Sequence, residues 1–397
     1  MDDTVFRPAP FDVEPGGRDN GLIHDWRSSL GSTLALITLV GVDRALLTLN
    51  PWQRLPAPVL GVFAVVVAGV SLRQRDDKSW ERVYKFFEPA LLFLTHSYLT
   101  LFYSPALVLL PVALPRDSGI DLVTRVVVIV TIGCLITACC TAAVVKAIRR
   151  YSRNDHPVPD SIEQDDVRFS AHAVASWILA AAVCSALSWS RRFVTLSQLT
   201  LSVGVYCASV RIPRPLNRWL NPMTLIALAI NLQALLFGRL HDDLTYGRAI
   251  RIYAESVKPV FFSFLGPIIL CFALSIVQRW DLVVAHRLEL LFGCFVSAAI
   301  TILSTAFISV HLLEDARVTR SLLSRGMTMA LAVVNTQLLD GSVEITAVAV
   351  ALTGLIGSML IRPVLNTLKY TDVIVRGVTA SATAHGLGAA VRIGLVP

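Results

Sequence analysis

Long apolar runs separated by short polar segments dominate this chain from about residue 30 onward. The runs lack the alternating pattern of strands in a membrane barrel, and many are long enough, or nearly so, to cross a hydrocarbon core of about 30 Å as helices. The predicted spans are 30–49, 57–72, 86–103, 121–148, 169–189, 193–210, 220–237, 257–277, 286–312 and 342–366. Shorter or interrupted apolar segments occupy 104–115, 321–339 and 371–396.

The pattern predicts an all-α polytopic membrane protein with about 10–12 transmembrane helices, including broken or re-entrant half-helices. Composition supports this class, because 54% of the residues are hydrophobic and 16% are charged. A soluble domain carries roughly a quarter charged residues. The seven cysteines all lie inside apolar segments and are interpreted as small packing residues, so no metal or cofactor is expected.

The net charge of +7 does not indicate nucleic acid, because the basic residues lie in short loops rather than on one face or tail. They concentrate in alternate loops, at 73–85, 146–153 and 211–218, and are sparser in the loops between. Basic residues are enriched in cytoplasmic loops, so this alternation predicts a multi-pass protein with its N-terminus on the cytoplasmic side.

Polar segments divide the chain into four predicted parts. Residues 1–29, with several acidic residues, prolines and glycines, are predicted to form a disordered tail. Residues 30–148 form a first membrane unit, residues 149–168 a polar linker, and residues 169–397 a second membrane unit. Within the second unit, Gly266-Pro267 predicts either a simple kink or two half-helices, because proline removes a backbone donor.

The second unit also contains two polar interruptions, at residues 324–328 and 381–388, with small residues at 353–357 between them. Polar, glycine-loosened helix ends inside an apolar domain are typical of transporters that hold an anion near the bilayer midplane. A helix N-terminus attracts an anion because its free N–H groups carry about half a positive charge. The predicted substrate-binding residues are Arg325, Thr328, Thr353, Ser381, His385 and Gly386.

Each predicted role has an alternative. Ser324 is a candidate N-cap for a helix from Arg325 to Leu338, with Thr328 in its first turn. Arg325 could pair with a substrate carboxylate, or it could belong to a membrane-surface loop. His385 could bond a substrate hydroxyl or carry a proton, or it could bond a backbone carbonyl beside the glycines.

Small residues allow a similar choice. Thr353, Gly354 and Gly357 could line the site with hydroxyl and carbonyl groups, or they could form a stripe for close helix packing. Gly386 could belong to the site, or it could let the backbone turn or allow helices to approach closely.

The second unit resembles the LrgB family. The matching segments are 346–357, 375–378 and 384–388, with Asn221-Pro222 and Gly266-Pro267 earlier in the chain. The first unit resembles the partner LrgA family at 55–61 and 102–106. The order of the units is that of LrgA/LrgB fusion proteins, which include plastidal glycolate/glycerate translocators and fungal LrgB-like proteins.

The resemblance implies a secondary transporter of small monocarboxylates such as glycolate, glycerate or pyruvate, either proton-coupled or working by exchange. An older view of the bacterial members implies instead a holin-like pore or membrane-stress regulator without a substrate pocket. The expected partners are the lipid bilayer, a small carboxylate, protons and a second copy in a homodimer. No nucleic acid, catalytic residue, cofactor or metal is expected.

The sequence departs from the family pattern at several hydroxyl groups. Where the family reads Lys-Ser-Val-Thr-Thr-Pro, residues 325–330 keep one of three hydroxyls, at Thr328. Where it reads Ser-His-Gly-x-Gly-Thr, residues 384–389 keep the histidine and both glycines but neither hydroxyl. The resemblance also implies one further helix after the histidine, which we expect to be missing because the sequence stops at Pro397.

Overall fold

The computed structural model describes residues 26–49, 57–113, 119–152, 171–187, 190–212, 220–240 and 244–390. The predicted tail up to residue 25 and residues 153–168 of the predicted linker lie outside these ranges. The first helix begins at Trp26, four positions before the predicted unit. Another helix continues to Ser152, so the start of the predicted linker is helical.

The helices of the first half are α1 (Trp26–Leu49), α2 (Ala57–Arg75), α3 (Asp77–Leu91), α4 (Leu99–Val108), α5 (Leu110–Ala113), α6 (Gly119–Ser152), α7 (Ala171–Ala186) and α8 (Arg191–Ser209). Those of the second half are α9 (Pro222–Leu240), α10 (Tyr246–Ile252), α11 (Lys258–Phe262), α12 (Leu265–Gln278), α13 (Trp280–Ala285), α14 (Arg287–Leu312), α15 (Ala316–Leu322), α16 (Met329–Leu338), α17 (Val343–Thr367) and α18 (Val373–Ala390). Wider π-helical turns occupy Leu92–Ser97 and Tyr253–Val257.

Seven helical stretches within the described ranges are long and apolar enough to cross a bilayer. They are Gly31–Thr48, Asp77–Ala113, Asp121–Tyr151, Pro222–Leu240, Tyr246–Gln278, Arg287–Leu312 and Val343–Thr367. Helices satisfy their backbone hydrogen bonds internally, which hydrocarbon demands of any lipid-exposed segment. The all-α polytopic membrane fold is therefore confirmed.

Helix α6 lies at the centre of the site region and packs against α14, α17 and α18. It runs antiparallel to α14. Arg125 Nη1 donates to the Leu312 carbonyl at 2.9 Å at one end, and Arg149 Nη1 lies 3.4 Å from His286 Nδ1 at the other. Residues near 134 of α6 and near 301 of α14 consequently lie about midway across the spans.

The two predicted membrane units share one buried core. Leu94 and Ile129 of the first unit belong to the same cluster as Ile226 and Val350 of the second. Helix α4 packs against α9 and α17, and α2 packs against α12. The division at 149–168 is therefore a division of the sequence and not of the packing.

The chain bends just before Gly266. Helix α11 ends at Phe262, Ser263 and Phe264 form a turn, and α12 begins at Leu265. Gly266 and Pro267 thus occupy the first turn of α12, where a proline costs little because that N–H has no partner within the helix. The interruption is thus a turn at Ser263 and Phe264 with a separate helix on each side, and it precedes Gly266-Pro267.

Candidate functional site

Helices α15 and α16 are joined by a non-helical segment, residues 323–328. Asp315 caps α15 by accepting the Arg317 backbone N–H at 2.7 Å. Further along, the Asn335 side chain donates to Ser324 Oγ at 2.8 Å, and the Ser342 N–H donates to Ser321 Oγ at 2.7 Å. These contacts hold the connecting segment against α16 and bring the chain that follows α16 back to the end of α15.

The helix predicted to start at Arg325 starts instead at Met329, with Thr328 as its N-cap residue. The Ser324 hydroxyl is occupied by Asn335, which explains why Ser324 does not cap. Thr328 makes no side-chain cap bond either, and its buried Oγ1 has no hydrogen-bond partner within the described ranges. The Thr328 hydroxyl, which the sequence shares with the family motif, therefore lies at a helix N-terminus without a hydrogen-bond partner in the described ranges.

Arg325 is buried in the interior, with 1% of its surface exposed, and not in a surface loop. Its Nε donates to Thr305 Oγ1 of α14 at 2.8 Å, and its Nη1 lies 3.7 Å from Cys134 Sγ of α6. Its Nη2 has no hydrogen-bond partner among the described residues. This nitrogen lies against Gly133, where a side chain would collide with the guanidinium.

Helix α18 is broken at His385, whose φ of 40° and ψ of −131° are not helical. The positive φ falls on the histidine and not on Gly386, so the strain is carried by a residue with a side chain. His385 Nε2 lies 3.1 Å from the Val350 carbonyl of α17. Its buried Nδ1 has no partner in the described structure.

The two breaks approach each other at Cys134. The sulfur that contacts Arg325 also lies 3.9 Å from the Thr383 carbonyl and 4.0 Å from the Thr353 carbonyl. Both oxygens belong to the helices around the histidine break. A single side chain midway along α6 therefore contacts the first break and the last turn before the second.

The remaining predicted residues are placed differently. Thr353 is buried, and its hydroxyl donates to the Ala349 carbonyl of its own helix at 2.7 Å, so its carbonyl faces Cys134 while its hydroxyl is used within α17. Gly386 is buried. Ser381 is exposed on α18 and does not join the buried group.

Tyr103 of α4 lies close to both breaks. It was not among the site residues predicted from the sequence. The Met329 backbone N–H, at the start of α16, interacts with its phenol oxygen. A Cβ built at Gly386 would lie 3.6 Å from the same oxygen. The available signal was a tyrosine inside the apolar segment 102–106, which was used only for the family resemblance.

A cleft of about 250 Å³ lies beside the start of α16. Met329 and Ala330 form one wall, and Asp43, Arg44 and Gly266 contribute to the others. Asp43 is 6% exposed and lies against Gly266, where an added Cβ would collide with the carboxylate. The N-terminal end of α16 thus contacts Tyr103 on one side and borders an open cleft on the other.

Comparisons with known proteins agree with this architecture. Residues 202–395 match the model of the LrgB-like family. Plastidal glycolate/glycerate translocator 1, chloroplastic, of Arabidopsis thaliana is 28% identical over 354 residues, covering 85% of this chain and 68% of the relative. The uncharacterized protein YwbG of Bacillus subtilis (strain 168) is 24% identical over 196 residues, covering 49% of this chain and 83% of the relative.

No solved structure matches the chain. The similarity to the plant translocator is longer than the family match and therefore extends into the first half of the chain. Both broken helices lie inside the matched range. Residues 202–395 are therefore similar to the LrgB-like family, within a membrane protein that is similar to a plastidal translocator over most of its length.

Proposed function

We propose that this protein is a secondary transporter of small monocarboxylates of the glycolate and glycerate type. One observation carries the proposal: two broken helices bring Arg325 and the His385 break to one buried layer midway along the membrane spans. Three buried polar atoms at the two breaks have no partner in the described ranges, namely Arg325 Nη2, Thr328 Oγ1 and His385 Nδ1. Buried polar groups are normally hydrogen-bonded, so such a group of exceptions supports a ligand site.

The chemistry of these atoms fits a small hydroxy acid or keto acid. A guanidinium nitrogen can donate to a carboxylate, and the low dielectric of the interior strengthens that bond. Thr328 and the N-terminus of α16 supply further donors at the same helix end. Because His385 Nε2 faces the Val350 carbonyl, which can only accept, Nε2 carries the proton and Nδ1 of the neutral ring can accept from a substrate hydroxyl. Pyruvate falls within this substrate class.

Burial of the arginine supports a preference for acids in the proposed site. The side chain has no carboxylate partner within salt-bridge distance in the described structure, and an isolated buried charge is costly. A bound monocarboxylate would neutralise it, whereas a neutral solute would leave it unpaired. Thr353, Ser381 and Gly386 stay in the proposed site as lining residues of α17 and α18, with Ser381 at its exposed margin.

Transport then requires the site to open to each side in turn. The broken helices α15–α16 and α18 are the natural moving parts, because their interrupted backbones can rotate without unwinding a continuous span. The N-terminus is proposed to lie on the cytoplasmic side, from the distribution of basic loops. Proton coupling or exchange and assembly as a homodimer are further parts of the proposal.

The proposal is tested by purifying the protein, reconstituting it in liposomes and measuring uptake of labelled glycolate, glycerate and pyruvate. Saturable uptake that each acid inhibits is expected, and Arg325→Ala and His385→Ala should each abolish most of it. Arg317→Ala is the matched control, because Arg317 is an exposed arginine on the neighbouring helix. Unsaturable flux that is indifferent to Arg325→Ala would instead identify a holin-like pore.

A further inference from the structure

A second group of buried ionisable side chains lies near the C-terminal end of α6, away from the proposed substrate site. His286 and Glu289, at the start of α14, are both completely buried. Their Nδ1 and Oε1 atoms are 3.6 Å apart. Neither Glu289 oxygen, nor His286 Nε2, has a hydrogen-bond partner among the residues described. A carboxylate buried without donors is stable only when it is protonated or faces a compensating charge.

Arg149 and Asp372 close this group toward solution. Arg149 Nη1 lies 3.4 Å from His286 Nδ1, and the Arg149 guanidinium forms an ion pair with Asp372. Their side chains are 21% and 33% exposed, so they stand between the buried pair and water. Asp372 also accepts the Val375 N–H at 3.0 Å and thereby caps α18.

The other charged groups around this end are engaged elsewhere. Lys146 of α6 lies over the Tyr370 ring, 4.7 Å from its centroid. Arg376 of α18 donates to the Tyr370 carbonyl at 2.9 Å. Asp281 of α13 pairs with Arg73 at 2.6 Å. Among the described residues, Arg149 is therefore the cation within hydrogen-bond distance of the His286–Glu289 pair.

We propose that His286 and Glu289 form a proton-binding site that couples proton movement to transport, an inference that rests on the transporter function proposed above. The pair can hold one proton in two ways: a neutral carboxyl group beside a neutral imidazole, or a carboxylate beside an imidazolium. The proton count is the same in both. Loss of that proton leaves a buried carboxylate without a donor, which requires water or Arg149 to move in.

The position of Asp372 links this site to the substrate. Asp372 caps the first turn of α18, and the same helix is broken at His385 further along. Separation of Arg149 from Asp372 would free the start of α18 and admit water to the buried pair. Release of the proton and movement of the helix that borders the substrate site thus become one event. Glu289 is thus a second candidate for proton binding, in addition to His385.

The test is the response of uptake to a pH gradient. Wild-type protein in liposomes should take up labelled glycolate faster when the external solution is more acidic than the interior. Glu289→Gln, which keeps the shape of the protonated side chain, should lose this acceleration but retain glycolate counterflow at equal pH on both sides. Glu314→Gln is the matched control, because Glu314 is an exposed glutamate beyond the other end of α14.

The outcomes separate the two proposals. Absence of any glycolate transport by the wild type refutes the transporter function itself. Transport by the wild type without acceleration, or equal acceleration in Glu289→Gln, overturns the proton site alone. If Glu289→Gln does not reach the membrane, His286→Gln replaces it. It should shift the external pH of half-maximal acceleration, and an unchanged midpoint would also overturn the proposal.

Discussion

Arg325 Nη1 lies 3.7 Å from the sulfur of Cys134, although 191 positions separate the two residues. A thiol is a weak acceptor, so this contact leaves most of the charge on the guanidinium uncompensated. The Nε atom is better satisfied, by Thr305 at 2.8 Å, and Nη2 has no partner in the described ranges. Arg325 is therefore hydrogen-bonded at one edge, whereas its other edge packs against Gly133 without a hydrogen bond.

Cys134→Asp should convert this contact into an ion pair. The introduced carboxylate would occupy the guanidinium and compete with the substrate, so uptake of glycolate should be lost while the protein remains folded. Cys134→Asn, which has a similar shape without the charge, should retain substantial uptake. Uptake and thermal stability measured on the same preparations check the prediction, and normal uptake by Cys134→Asp would contradict the proposed role of Arg325.

Thr305→Val should loosen Arg325 without changing the size of its neighbour. The substitution removes the acceptor for Nε, and an unsatisfied buried donor costs about 1–3 kcal/mol. The free energy of unfolding should fall by that amount, and the KM for glycolate should rise because the guanidinium is less well oriented. Thr38→Val, at an exposed threonine of α1, is the control and should change neither quantity.

Of two glycines near the second break, one should not tolerate replacement by alanine and the other should. A Cβ at Gly357 would lie 2.6 Å from the Thr383 carbonyl oxygen, a backbone atom that cannot move aside, so Gly357→Ala should separate α17 from α18. A Cβ at Gly386 would meet Phe272 and Tyr103 at ordinary contact distances of 3.6 Å. Gly386→Ala should therefore fold normally. Melting temperatures of the two variants in detergent test this prediction. Equal melting temperatures for the two variants would contradict it.

His385→Gly should separate stability from transport. A side chain at φ 40° stores backbone strain of order 1–3 kcal/mol, which glycine relieves and alanine does not. His385→Gly should consequently be more stable than His385→Ala by about that amount. Both variants lack the imidazole and should lose uptake. A glycine variant that is no more stable than the alanine variant would argue against strain at this position.

Tyr103→Phe should reduce uptake with little loss of stability. The change removes the hydroxyl that meets the Met329 N–H and lies near Gly386, and keeps the ring that packs in the core. Tyr151→Phe is the control, because Tyr151 is 96% exposed. Initial rates of glycolate uptake for the two variants provide the measurement. Unchanged uptake in Tyr103→Phe would exclude the tyrosine from the site.

The sequence was sufficient for the class of fold and for the two interruptions. Apolar runs of sufficient length can satisfy their backbone in hydrocarbon only as helices, so composition and run length determine the class. The breaks near Arg325 and His385 were visible because polar and glycine residues interrupt otherwise apolar segments. The start of α16 was misplaced by four residues, because the competing bond between Ser324 and Asn335 joins residues eleven positions apart.

Tertiary structure alone decided what the polar residues face. No local pattern shows that Cys134 and Thr305 contact Arg325, that Tyr103 lies between the breaks, or that Glu289 is buried beside His286, which Arg149 contacts. Local sequence fixes where a helix can start, stop or break, since those interactions extend over three or four residues. Contacts between helices depend on how all of the spans pack together, and that packing is what places a lone charge next to a weak acceptor in the interior.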